Sequence, residues 1–173
     1  LMPLPAGVDP VAFSGLVLTQ VGYNCGTRST VHPGDVAVVA GDGLVGQWAG
    51  QTLASQGAKV VMLGRHDDRL ARFAPYGCTI KSGADNGIAA MRALGLGEVR
   101  ILVETTGGAA VLNDWLPLMQ RNGHMVIAGF YPQAAEVDLL QALQRFRNAE
   151  LSFDLVSGAT QERLDETMRW VAD

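Results

Sequence analysis

Cysteine is scarce: the 173 residues hold two, Cys25 and Cys78. They lie far apart and in no metal-like spacing, which excludes a disulfide framework or a cysteine cluster for zinc. One bridge between them stays open from sequence alone, but the expectation is two buried thiols in a reducing cytoplasm. Charge is also thin. Lys and Arg number 13 against 17 Asp and Glu, a net charge of −4. No basic field results, so neither nucleic acid nor an anionic membrane is an expected partner. No leader-like stretch stands out, and no apolar run is long enough to span a bilayer. The chain opens without Met, on Leu1-Met2-Pro3-Leu4-Pro5, and is expected to be a piece of something larger. What is plentiful is apolar residue, 48 % of the chain, and glycine, 21 residues. That composition suits one globular domain whose sheet is buried on both faces.

The glycines fall into a pattern at Asp35–Arg65. A run of small and β-branched residues, Val36, Val38 and Val39, leads into Gly41-Asp42-Gly43-Leu44-Val45-Gly46. An apolar-faced segment follows, then Gly57-Ala58 and a second β-rich run from Lys59 to Leu63. Strand, glycine turn, helix and strand in that order make the first βαβ unit of a dinucleotide-binding fold. Gly41 permits a tight turn, Gly43 lets the backbone approach a pyrophosphate, and Gly46 lets helix and strand pack closely. The helix N-terminus then offers free N–H groups and positive dipole to the phosphates.

The rest of the chain alternates in the same way. Asp9-Pro10 predicts a helix start, and the apolar stretch after it predicts two short helices broken near Gly22. Val31–Asp35 is a turn that launches the first strand. A helix over Val45–Gln56, a strand at Lys59–Leu63, a helix over Asp67–Ala74 and a short strand at Cys78–Lys81 come next. Ile88, Met91 and Leu94 recur at helical spacing, and Val99–Glu104 reads as a strand. Ala109–Arg121 predicts an amphipathic helix closed by Asn122-Gly123. Then come a strand at His124–Ala128, a helix at Asp138–Arg147, a strand at Glu150–Asp154 and a last helix at Gln161–Val171. The expected fold class is α/β: a three-layer, doubly wound parallel sheet (Rossmann) of about six strands with helices on both faces, in order 3-2-1-4-5-6. The expected organisation is one domain over 1–173, with leading helices and turn at 1–34 and the core at 35–173.

That order sets the turns Gly41–Gly46, Gly64–His66, Thr105–Gly108 and Ala128–Tyr131 on one rim, where a ligand crosses the strands' carboxyl ends. An acid usually ends the second strand to hold the adenosine ribose hydroxyls. Here stand Gly64, Arg65 and His66, with Arg69 a turn later and no acid before Asp67. Glycine leaves room for a 2′-phosphate and the guanidinium offers it bidentate hydrogen bonds, so NADP is expected over NAD. The plainer alternative makes Arg65 a solvated loop cation.

The order of motifs resembles the medium-chain dehydrogenase/reductase superfamily, the zinc-type alcohol dehydrogenase and quinone reductase group. The carriers are V-G-Y at Val21–Tyr23, V-H-P-G-D at Val31–Asp35, G-D-G-L-V-G at Gly41–Gly46, G-A-K-V-V at Gly57–Val61, V-E-T-T-G-G at Val103–Gly108 and R-N-G-H-M-V-I-A-G-F at Arg121–Phe130. The resemblance implies a coenzyme-binding domain. Gly41, Asp42, Gly43, Leu44, Val45 and Gly46 would lie on the pyrophosphate; Gly64, Arg65, His66 and Arg69 on the adenosine ribose. Thr105, Thr106 and Gly107, with Ala128, Gly129 and Phe130, would surround the nicotinamide and its ribose. It also implies that the catalytic domain and most zinc ligands lie outside this chain. Val17 stands where a third ligand would be, and cannot bind metal, so zinc is not expected.

No catalytic constellation stands out in the sequence. Tyr23 and Tyr131 are possible proton donors, though tyrosines near element ends more often pack. His124, opening a strand, reads as structural. The function expected is the cofactor domain of an alcohol dehydrogenase/reductase-like oxidoreductase; the alternative is a free-standing nucleotide-binding or regulatory module. A small-molecule substrate would be handled only with the missing catalytic domain. In LSFDL the last strand carries no lysine or proline to blunt an edge, so a homodimer through that edge is expected.

Overall fold

The structure, a computed structural model, describes residues 3–82, 87–132 and 138–172. Its strands are β1 (Val36–Ala40), β2 (Lys59–Gly64), β3 (Cys78–Lys81), β4 (Val99–Glu104), β5 (Met119–Ile127) and β6 (Ser152–Leu155). Every pairing is parallel and the order is β3-β2-β1-β4-β5-β6, as read from sequence. The helices are α1 (Leu16–Gly26), α2 (Leu44–Ser55), α3 (Asp67–Phe73), α4 (Gly87–Ala93), α5 (Ala109–Trp115), α6 (Leu139–Asn148) and α7 (Gln161–Ala172).

Central β1 is buried along its whole length, and its residues divide between two cores. Val36, Val38 and Ala40 face Leu102, Leu112, Trp115 and Met125 beneath α4, α5 and α6. Ala37 and Val39 face Ala49, Leu53, Phe73 and Val103 beneath α1, α2 and α3. Burying each valine contributes about 1.5–3 kcal/mol, which is why β1 carries nothing polar.

Five expectations are corrected. The Asp9-Pro10 start gives a run of turns, not a helix; the Asp9 carboxylate accepts from Val11 N at 2.9 Å. From Leu16, α1 then runs unbroken through Gly22. Gly22 is there for contact: a Cβ on it would sit 2.7 Å from Trp48 Cβ on α2. Second, the helix from Ala109 stops at Trp115 and tightens into a 3₁₀ turn, Leu116–Leu118, holding Pro117. Proline offers no N–H to continue an α-helix. Met119, expected on the helix stripe, instead begins β5. Third, Asn122-Gly123 ends no helix. It lies within β5 in a bulge where β5 runs from Met119 to His124 while β4 runs only from Val99 to Ile101, and Asn122 has φ 60°. Fourth, Cys25 is buried but Cys78, on an outer strand, is exposed. The last strand is also displaced, from Glu150–Asp154 to Ser152–Leu155.

Candidate functional site

At the carboxyl ends of β1, β2 and β4 the sheet opens into a cavity of about 480 Å³. It lies between β1 and β4, where the winding of the sheet reverses. Its floor is the glycine turn. Gly41 has φ +117°, and its N–H donates to Leu63 O at 2.8 Å. Gly46 packs so close to the Gly41 carbonyl that a side chain there would overlap it. Gly43 precedes α2 in an extended conformation, no side chain caps the helix, and no acid lies in its first turn. The leading N–H groups of a twelve-residue helix therefore face the cavity with the positive end of its dipole, a built anion site.

The adenosine side differs from the expectation. The space beside Gly64 is not open: a Cβ there would meet the Asp42 carboxylate at 2.5 Å. Asp42, the residue between the first two glycines, turns toward β2 and accepts from Arg65 N at 2.8 Å and His66 N at 2.7 Å. His66 Nδ1 lies 3.0 Å from its Oδ2, and Arg69 Nη1 lies 3.8 Å from its Oδ1. Burial disfavours the Asp42 charge, but the hydrogen bonds from His66 and Arg65 outweigh it and hold its pKa below the ordinary aspartate value. An acid is thus present beside the end of β2, supplied by the glycine turn and not by β2 itself. Arg65 is exposed, and its guanidinium has no hydrogen bond or ion pair among the described residues.

On the other side of the turn, Thr105 Oγ1 donates to Ala40 O at 2.8 Å, tying the end of β4 to β1. Glu104 is wholly buried at the tip of β4. Its carboxylate accepts from Thr106 N at 2.6 Å, Thr106 Oγ1 at 2.5 Å and Gly107 N at 3.0 Å. Tyr131 OH donates to the other oxygen at 2.7 Å. Burial first, and that carboxylate second, push the Tyr131 hydroxyl pKa well above its ordinary value.

Of the sixteen residues expected at the site, Gly41–Gly46, Gly64, Arg65, His66, Arg69, Thr105 and Thr106 line the cavity together. Gly107, Ala128, Gly129 and Phe130 do not line it; they form an adjoining rim, with Gly107 packed on Phe130 and Gly129. Gly108, expected on this rim, lines it too, while Leu18, Leu63, Ser82 and Val111 line it unannounced. Ser82 follows β3 on the same rim and was findable by that rule, whereas nothing in the sequence brings Leu18 there. Neither tyrosine lines the cavity: Tyr131 OH is bound to Glu104, and Tyr23 packs edge-on against Trp170, ring centroids 5.6 Å apart. No group of three or more potential metal ligands occurs among the described residues.

The model of the zinc-binding dehydrogenase family matches residues 45–173. Against curated protein sequences the chain has no match. Among solved structures it is similar to L-idonate 5-dehydrogenase from Escherichia coli, at 18 % identity and TM-score 0.81, covering 99 % of this chain and 48 % of that one. It is similar to the alcohol dehydrogenase of Aeropyrum pernix, at 20 % identity and TM-score 0.84, covering 99 % and 51 %. For 2R,3R-butanediol dehydrogenase from Bacillus subtilis the values are 19 %, 0.78, 98 % and 48 %. The chain spans about half the length of these proteins.

Proposed function

The chain belongs to the zinc-binding dehydrogenase family, and on that premise we propose that it is the nicotinamide-dinucleotide-binding domain of an alcohol dehydrogenase-like oxidoreductase. One observation carries the reading. The uncapped N-terminus of α2 opens, through the Gly41–Gly46 turn, onto a cavity at the reversal point of the sheet. The pyrophosphate lies on that turn, the adenosine ribose beside Arg65, His66 and Arg69, and the nicotinamide beside Thr105–Gly107 and Ala128–Phe130. The domain binds and orients the cofactor, whose nicotinamide ring supplies hydride chemistry. Substrate is held with a catalytic domain outside this chain. The family match over 45–173 disfavours a free-standing regulatory module.

NADP is preferred over NAD in this reading. The Asp42 carboxylate meets the side chains of His66 and Arg69 and the main-chain N–H of Arg65, and the Arg65 guanidinium has no hydrogen bond or ion pair among the described residues. Gly64 opens no room for the phosphate, since Asp42 fills that space. The phosphate is received on the Arg65 side. No zinc is bound, Val17 standing exposed in α1. A homodimer through β6 and a cytoplasmic location complete the proposal. Phe153 and Leu155 on that edge are 53 % and 71 % exposed, and no helix among the described residues is long and apolar enough to cross a membrane.

The test is calorimetric titration of the folded chain with NADP and NAD at millimolar concentration. Gly43→Val is the control: nothing lies within 4 Å of its Cβ position, so the side chain enters ligand space without a clash in the fold. Binding that Gly43→Val abolishes at unchanged melting temperature supports the reading. No heat with either cofactor ends it.

A further inference from the structure

The tip of β4 carries a wholly buried carboxylate, Glu104. Holding a charge there costs several kcal/mol unless donors surround it. Glu104 has them from two directions. Thr106 N, Thr106 Oγ1 and Gly107 N come from the turn after β4, and Tyr131 OH comes from the turn after β5. Its main-chain carbonyl repeats the pattern, accepting from Ala128 N at 2.8 Å and Gly129 N at 3.1 Å. The main-chain N–H groups can only donate and the two hydroxyls are free to do so, so a carboxylate meets all of these partners as an acceptor. Gly129 lies so close to Oε2 that a side chain there would overlap it, and one on Gly107 would overlap the Phe130 carbonyl. The two turns stand on the opposite side of the glycine turn from Arg65 and His66: Thr106 faces the cavity, and the Phe130 ring, 94 % exposed, stands on the rim.

We propose that Glu104 is a positioning residue for the non-adenosine half of the dinucleotide, fixing the turns after β4 and β5 as one surface, with Tyr131 as the grip of the β5 turn on it. This rests on the cofactor reading above. Glu104 touches no ligand itself; it acts through Thr106, Gly107 and Phe130. A purely structural carboxylate would affect folding, or all ligands alike. A positioning carboxylate divides the ligand in two.

Calorimetry on the unmodified chain, Glu104→Gln, Tyr131→Phe and the double variant, with melting temperatures, separates these. The probes are NADP and NAD, and their adenosine halves 2′,5′-ADP and AMP. Glu104→Gln should weaken the dinucleotide about tenfold and leave the adenosine half within about twofold. Tyr131→Phe, which removes only a hydroxyl, should act in the same direction, about fivefold, and add nothing further to Glu104→Gln because the two share one bond. Should Glu104→Gln fail to fold, Tyr131→Phe decides. Equal losses for whole cofactor and half, or no loss in a folded Tyr131→Phe, overturn the proposal. Halves that bind the unmodified chain as tightly as dinucleotides overturn it alone, with the cofactor reading intact. A chain that binds none of the four overturns both.

Discussion

Asp42→Ala is the perturbation that the site predicts most sharply. The carboxylate is 8 % exposed and accepts two main-chain N–H groups, from Arg65 and His66, at 2.8 and 2.7 Å. Hydrogen bonds to a charged acceptor are worth about 1.5–3 kcal/mol each. Arg65 and His66 are exposed, so water recovers part of that loss and the expected destabilisation at neutral pH is about 2–3 kcal/mol. Asp42→Asn keeps one acceptor in place and should cost about 1 kcal/mol. Urea unfolding measures both, as a fall in midpoint at unchanged slope. The pH dependence follows from the pKa of Asp42, held below its ordinary value by His66 and Arg65 against the opposing effect of burial. A depressed carboxylate contributes its full stability above the unfolded-state pKa and loses it as pH falls through the folded one. The gap between the unmodified chain and Asp42→Ala should therefore be full at pH 7 and close in acid, below about pH 4. A loss under about 0.5 kcal/mol at pH 7, or a gap that persists unchanged into acid, would refute the reasoning.

Arg65→Ala should weaken NADP by about 1.5–3 kcal/mol and leave NAD nearly unchanged in calorimetry; equal losses would show that Arg65 does not read the phosphate. A chromogenic thiol reagent should find one reactive cysteine in the native chain, exposed Cys78, and two in denaturant. Burial pushes the Cys25 thiol up to about 12, so a fast second thiol at neutral pH would contradict its place in the core. Phe153→Pro should convert a β6-edge dimer to monomer without unfolding it. Val156 N donates to Ile127 O, so alternation turns the Phe153 N–H away from β5. Light scattering reads the mass, and a monomer for the unmodified chain at all concentrations would end the dimer.

Sheet order was legible because β1, β2 and β4 are buried and each strand is followed by a helix; burial forces apolar runs, and crossovers force parallel pairing. The glycine turn was legible for the same local reason, since its residues are constrained by their immediate neighbours. What the sequence hid depends on partners far along the chain. Gly22 reads as a helix breaker, and only the approach of Trp48 explains it. Asp42 reads as one turn residue among glycines; that its carboxylate stands at the end of β2 follows from sheet packing across 23 residues. Glu104 reads as the polar end of a strand, and its bond to Tyr131 spans 27 residues. The missed helix end is different. Pro117 is visible in the sequence, but the apolar spacing of Leu112, Trp115 and Leu116 continues the helical pattern up to it.

A crystal structure of the chain grown with NADP tests the central claim most directly. The account predicts the pyrophosphate on the N–H groups at the start of α2 over Gly41–Gly46, the 2′-phosphate within hydrogen-bond reach of Arg65, and the nicotinamide end toward Thr106 and Phe130. A dinucleotide seated on another surface, or crystals whose Gly41–Gly46 turn stays empty at saturating NADP, would contradict it.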